Sequence, residues 1–175
     1  MSRTEIRLSG SGGQGLILAG IILAEAAILD GKNAVQTQSY GPEARGGASR
    51  AEVIISNDEI DYPKVISPDL LLALTNQACQ KFLPSLKTDG ILIIDSSIPT
   101  PVTSARVYSL PIIETAEKKV GRQGVANIVA LGVITALTEI ASPESIEQAV
   151  LQRVPQGTEA LNRQALACGK QLVSR

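Results

Sequence analysis

Six residues near the N-terminus, Gly10-Ser11-Gly12-Gly13-Gln14-Gly15, have the spacing of a loop that admits another molecule to the main chain. Glycine has no Cβ, so it reaches backbone conformations that other residues avoid and permits close approach. The N–H groups opening the next helix would point into this loop and favour an anion there. The chemistry on offer is a seat for a phosphate or a carboxylate; the plain alternative is a tight strand-to-helix turn that binds nothing. A second loop, Ser39-Tyr40-Gly41-Pro42-Glu43-Ala44-Arg45-Gly46-Gly47, carries one acid and one base between two chain-turning pairs. Following the second strand of an α/β domain, it would lie beside the first loop, where Arg45 supplies the fixed cation that an anion needs. A surface loop with an incidental Glu43–Arg45 pair is the competing reading. Asn127 is the odd polar member of a long apolar run, placed either to meet a ligand or to bond a nearby carbonyl.

Other chemistries are missing. The chain has no His, which removes the commonest general base and the Ser-His and Cys-His nucleophile systems. Its two cysteines, Cys79 and Cys168, lie far apart and form no C-x-x-C, which argues against iron–sulfur or zinc ligation. With no signal peptide and so few cysteines, a reducing cytoplasm is the expected setting. A formal charge of −1 offers no general attraction to nucleic acid or an acidic membrane. A dinucleotide-binding domain would want an acid about 20 residues beyond the glycine loop to hold a ribose. That region offers only Gln36, Thr37 and Gln38. No self-contained redox or hydrolytic machine is visible, and a binding subunit of a larger enzyme fits better than a complete enzyme.

The elements that must position these loops read as one α/β domain over residues 1–175. With 44% apolar and 19% charged residues the composition is globular, and only Phe82, Tyr40, Tyr62 and Tyr108 are aromatic, so the core is aliphatic. Glu5–Ser9 is a strand. Leu16–Leu29, short of the roughly 20 apolar residues of a membrane span, is a helix buried on most sides and ended by Asp30-Gly31. Asn33–Ser39 and Ser49–Ser56 are strands, the latter with Arg50, Glu52 and Ile54 on one face and Ala51, Val53 and Ile55 on the other. Asn57-Asp58-Glu59 turns the chain, with Ile60-Asp61-Tyr62 as a short antiparallel return. Asp69–Thr75 and Ile91–Asp95 are buried strands around a helix capped by Asn76 and reaching Leu86. Asp95-Ser96-Ser97 ends its strand where open α/β sheets place ligands, though a turn uses the same residues. Arg106–Leu110 is a sixth strand, followed by helices over Ile112–Lys119, Val125–Ile140, Ser142–Arg153 and Glu159–Val173. The expected architecture is a three-layer α/β/α sandwich, with a mostly parallel Rossmann-like sheet and room for an antiparallel hairpin.

Gly10-x-Gly12-Gly13-Gln14-Gly15, Tyr40 to Gly47, and Asn127 to Gly132, in this order and spacing, resemble the gamma subunit of 2-oxoacid:ferredoxin oxidoreductases, most closely the 2-oxoglutarate type. The likeness covers nearly the whole chain. It implies an enzyme complex that oxidatively decarboxylates a 2-oxoacid with coenzyme A, giving an acyl-CoA, carbon dioxide and reduced ferredoxin. It also implies thiamine diphosphate, Mg²⁺ and iron–sulfur clusters on the alpha, beta and ferredoxin-like delta subunits, and no cofactor on this chain. By the same resemblance Gly10, Gly12, Gly13, Gln14 and Gly15, with Tyr40, Glu43, Arg45, Gly46, Gly47 and Asn127, would bind coenzyme A or grip the partner subunits.

Overall fold

The computed structural model describes residues 3–38 and 48–174. Six strands form one sheet in the order β2-β3-β1-β4-β5-β6, with β1 Arg3–Ser11, β2 Asn33–Gln38, β3 Ala48–Ser56, β4 Leu70–Ala73, β5 Ile91–Asp95 and β6 Arg106–Leu110. β1, β4, β5 and β6 pair in parallel, while β3 lies antiparallel between β2 and β1. The sheet is therefore mostly parallel, and the antiparallel element is β3 itself. Ile60-Asp61-Tyr62 is not a strand. Both ladders of β3 are already taken, Val53 opposite Ile6 on one side and Gln36 on the other, so no edge is left for a return strand to join.

The two faces of the sheet are covered unequally. Helices α1 Leu16–Leu29, α4 Ala126–Leu137, α5 Pro143–Arg153 and α6 Glu159–Val173 gather on one face. There Ile6, Leu8, Val53, Ile55, Leu72 and Ile93 of the strands meet Leu23, Val129, Ile134 and Leu166 of the helices in one core. The other face carries α2 Asn76–Phe82 and a short 3₁₀ turn, Leu83–Ser85, over Leu71, Ala73, Leu92 and Ile94. α1 has apolar residues on every side because β1, β2, β3, α4 and α5 surround it. Gly20 lets it approach the sheet, since a Cβ there would lie 3.2 Å from Ala51 Cβ. No helix among the described residues is long and apolar enough to cross a membrane.

Several element ends differ from the sequence reading, each for a local reason. The cap of α2 is Thr75, whose hydroxyl accepts the Ala78 N–H at 3.2 Å, so Asn76 becomes the first helical residue. α4 stops at Leu137, three residues early. Thr138 is extended, and the ammonium of Lys32 takes the carbonyls of Glu139 and Ile140 at 3.2 and 3.0 Å. The helix after β6 is a single α-turn, α3 Ile112–Glu114, continued as a π-turn over Thr115–Val120. α5 opens with Ser142 capping the Ser145 N–H and Pro143 in the first turn.

Candidate functional site

All four parallel strands end at the same edge, and three of the turns that follow meet there. β1 runs through Gly10 to Ser11, so the first two residues of the expected loop are strand, paired with Ser49 and Ala48. The turn proper is Gly12 to Gly15, and Gly15 takes φ +75 to enter α1 with no side chain capping the helix. Among the described residues no acceptor meets the N–H groups of Gly12, Gly13 or Gly15. Gly12 and Gly13 are exposed, and Gly13, at φ +87, has open space where a Cβ would stand.

The rest of the loop is occupied from within. Ser11 N–H donates to Gln14 Oε1 at 2.7 Å, which draws the Gln14 side chain back across Gly10. A Cβ on Gly10 would fall 2.2 Å from that same oxygen. Asn127, 4% exposed at the start of α4, donates from Nδ2 to the Gly15 carbonyl at 3.1 Å, and its Oδ1 accepts the Ile128 N–H at 2.9 Å. A Cβ on Gly15 would meet Asn127 Nδ2 at 2.4 Å. Gln14 and Asn127 thus fill the space beside Gly10 and Gly15, and the carbonyl bond expected of Asn127 is present. Asp95 is likewise spent on its own turn. It accepts Ser97 N–H and hydroxyl through Oδ2 at 3.0 and 2.6 Å, and Ile113 N–H through Oδ1 at 2.9 Å.

Beside Gly13 opens a cavity of about 220 Å³, lined by Gly13, Gln14, Ile113, Gln123, Gly124 and Ala126. Pockets that swallow a whole small-molecule ligand run from about 300 Å³ upward, so this one has the size for one end of a ligand. Among the described residues its lining contains no charged side chain. What favours an anion there is the exposed backbone N–H groups and the positive end of the α1 dipole. Nothing in the sequence singles out Gln123 and Gly124; their place beside the glycine loop depends on contacts more than a hundred residues apart, for which no local pattern exists. Tyr40, Glu43, Arg45, Gly46 and Gly47 lie outside the described residues, and the next described residue, Ala48, pairs with Ser11 at the mouth of the first loop.

Elsewhere, titratable groups serve the scaffold. Burial alone would push the Asp30 carboxyl up, but the Ser145 hydroxyl, the Ser142 N–H and hydroxyl, and the nearby Lys32 charge outweigh it and hold the group below its ordinary 3.8. Asp30 thereby ties the end of α1 to the start of α5, and the Glu25–Arg153 ion pair ties the same helices further along. Burial raises the Cys79 thiol. Among the described residues no three His, Cys, Asp or Glu side chains converge as metal ligands do.

Comparison with known proteins decides the family. The model of the pyruvate ferredoxin/flavodoxin oxidoreductase family matches residues 5–172. The chain belongs to this family. It is 51% identical over 172 residues to the 2-oxoglutarate synthase subunit KorC of Methanocaldococcus jannaschii, covering 95% of this chain and 92% of that one. The crystal structure of a keto/oxoacid ferredoxin oxidoreductase gamma subunit from Geobacter sulfurreducens superposes with a TM-score of 0.92 at 51% identity, over 99% of this chain and 98% of that one. The same fold recurs, at 21% identity and a TM-score of 0.88, within 31% of a longer chain, the 2-oxoglutarate:ferredoxin oxidoreductase of Magnetococcus marinus. The resemblance read from the glycine loops and the expected α/β sheet both stand.

Proposed function

We propose that this chain, a single domain over residues 1–175, is the gamma subunit of a 2-oxoglutarate:ferredoxin oxidoreductase. The complex would convert a 2-oxoacid and coenzyme A to an acyl-CoA and carbon dioxide while reducing ferredoxin, in the cytoplasm. The observation that carries this reading is near-complete, end-to-end similarity at half identity to subunits named 2-oxoglutarate synthase. Relatives named for ketoisovalerate and pyruvate match at 37% and 29% identity. Alpha and beta subunits would hold thiamine diphosphate and Mg²⁺, and a ferredoxin-like delta subunit iron–sulfur clusters. Within the assembly, the exposed amides of Gly12 and Gly13 and the Arg45 side chain receive phosphates of coenzyme A, and the surrounding face packs on the thiamine-binding subunits.

A second reading is favoured by one specific observation. Gln14 and Asn127 already fill hydrogen-bonding positions at both ends of the loop, as they would if the loop only gripped a partner chain. One experiment addresses both. The chain is co-expressed with its alpha, beta and delta subunits, purified without oxygen, and assayed for 2-oxoacid- and coenzyme A-dependent dye reduction. 2-Oxoglutarate should be the best substrate, and omission of this chain should abolish turnover. Arg45→Ala should raise the Michaelis constant for coenzyme A by about tenfold or more, the loss of one charge-assisted contact. A normally assembled complex with that constant unmoved would leave the loops a purely structural role, and preference for pyruvate would overturn the substrate assignment.

A further inference from the structure

We propose that the groove on the α2 face of the sheet, between β3 and residues 63–65, binds a small oxyanion through the guanidinium fork of Arg50, with Lys64 beside it. The proposal does not rest on the assembly reading above. The groove has a volume of about 410 Å³, and Thr37, Arg50, Glu52 and Lys64 are among its lining residues. That is room for a phosphate or pyrophosphate with several waters, each water taking about 30 Å³.

Arg50 is held for such a role. Its Nε lies 3.2 Å from Glu52 Oε1, and its guanidinium carbon stands 5.8 Å from the centre of the Phe82 ring. Its terminal nitrogens have no hydrogen-bond partner among the described residues, and the side chain remains 34% exposed. An arginine fixed at one edge, with the rest of its planar fork unspent among the described residues, suits bidentate recognition of a carboxylate or phosphate.

Among the described residues the charge around it is unbalanced. The second oxygen of Glu52 serves Arg7, whose Nη2 lies 3.3 Å away. Arg7 is buried beneath the groove, lies 5.4 Å from the centre of the Phe82 ring, and donates from Nη1 to Ser85 Oγ at 2.6 Å and from Nη2 to the Val65 carbonyl at 3.2 Å. Its Nε is the buried side-chain polar atom without a partner among the described residues. Among the described residues two guanidinium groups, one buried and one partly exposed, thus share one largely buried carboxylate, and Lys64 adds a cation with no ion-pair partner. A charge left uncompensated near the interior is costly, and an anion on Arg50 would offset it.

An oxyanion could come from a soluble phosphate- or carboxylate-bearing molecule or from an acidic side chain of a partner. Titration of the ¹⁵N-labelled full chain with pyrophosphate at low ionic strength tests the site itself. Saturable shifts are expected at the Thr37, Arg50 and Lys64 amides. Arg50→Lys keeps the pairing charge but loses the fork, and should weaken binding by about tenfold. Lys64→Gln, an exposed change that leaves the fold alone, should weaken it less. Shifts that fail to saturate, or that saturate equally in both variants, overturn the proposal. In the co-expressed complex, hydrogen exchange at the same amides separates the sources. Protection that appears only with pyrophosphate supports a soluble ligand. Protection present without it and removed by Arg50→Lys supports a partner's carboxylate. Exchange equal in all samples overturns the site.

Discussion

Two places in this molecule depend on glycine, for opposite reasons. Where α4 crosses α6, Gly132 and Gly169 face each other so closely that backbone touches backbone. A Cβ on Gly169 would lie 2.0 Å from the Val129 carbonyl oxygen, and one on Gly132 2.3 Å from that of Leu166. In the loop after β1, Gly10 and Gly15 make room for side chains, Gln14 and Asn127, while Gly13 faces open space. The crossing is packed shut by rigid main chain. The loop is braced at its ends and left bare in the middle. A glycine-rich motif is therefore several requirements written in one letter, and of the four glycines in this loop Gly12 and Gly13 are the exposed ones.

The contrast can be broken at graded cost. Gly169→Ala should be the most damaging, because neither helix backbone can move without disturbing the core. A loss of about 3 kcal/mol or more, the upper range for overpacking, would appear as a lower denaturant midpoint by circular dichroism. Gly15→Ala combines a left-handed backbone with the Asn127 clash and should cost about 2 kcal/mol. Pairing it with Asn127→Ala removes the clash but also the Nδ2 bond, leaving the Gly15 carbonyl with the Ala19 N–H alone, and the left-handed backbone remains, so the double variant should recover only part of the loss; full recovery would mean that Asn127 contributes no bond worth keeping. Gly13→Ala meets no neighbour and should cost only about 1 kcal/mol of backbone strain. Its effect should fall on coenzyme A kinetics in the complex, where a purely structural loop would show none.

The smallest effect concerns pH. The Asp30 carboxyl titrates lower when folded than its ordinary 3.8 when unfolded. Its contribution is therefore complete above the unfolded value and is lost as pH falls through the folded one. Thermal melts from neutral pH down should show the gap between wild type and Asp30→Asn narrowing only below about pH 4. A gap that is constant across that range would remove Asp30 from the acid limb.

The sequence was most legible where a local rule sets a boundary. α1, α5 and α6, and β5 and β6, fall where the Asp30-Gly31 stop, the Ser142-Pro143 cap and the apolar runs put them. It was least legible where a distant partner decides. Lys32 shortens α4 from over a hundred residues away, and the two filled ladders of β3 leave Ile60–Tyr62 without a partner. At the site, the loop's position and a carbonyl bond from Asn127 were readable, but that the carbonyl is Gly15's, and that a cavity opens at Gln123 and Gly124, were not. Arg50 was placed on the correct strand face. Its importance arises only when Phe82 and Arg7, from α2 and β1, are brought beside it.

The central position of β1 also shapes how the chain is made. Its two neighbours are β3 and β4, and the last rung of the β4 ladder is Ala73. During synthesis from the N-terminus, the innermost strand and the apolar α1 that follows it exist before either neighbour does. Ladder closure over so long a separation is a slow kind of event. The newly made chain therefore carries α1 without α4 and α5, which cover it in the finished fold, until residues 126–153 have been made, and this is the interval in which a chaperone has most to protect.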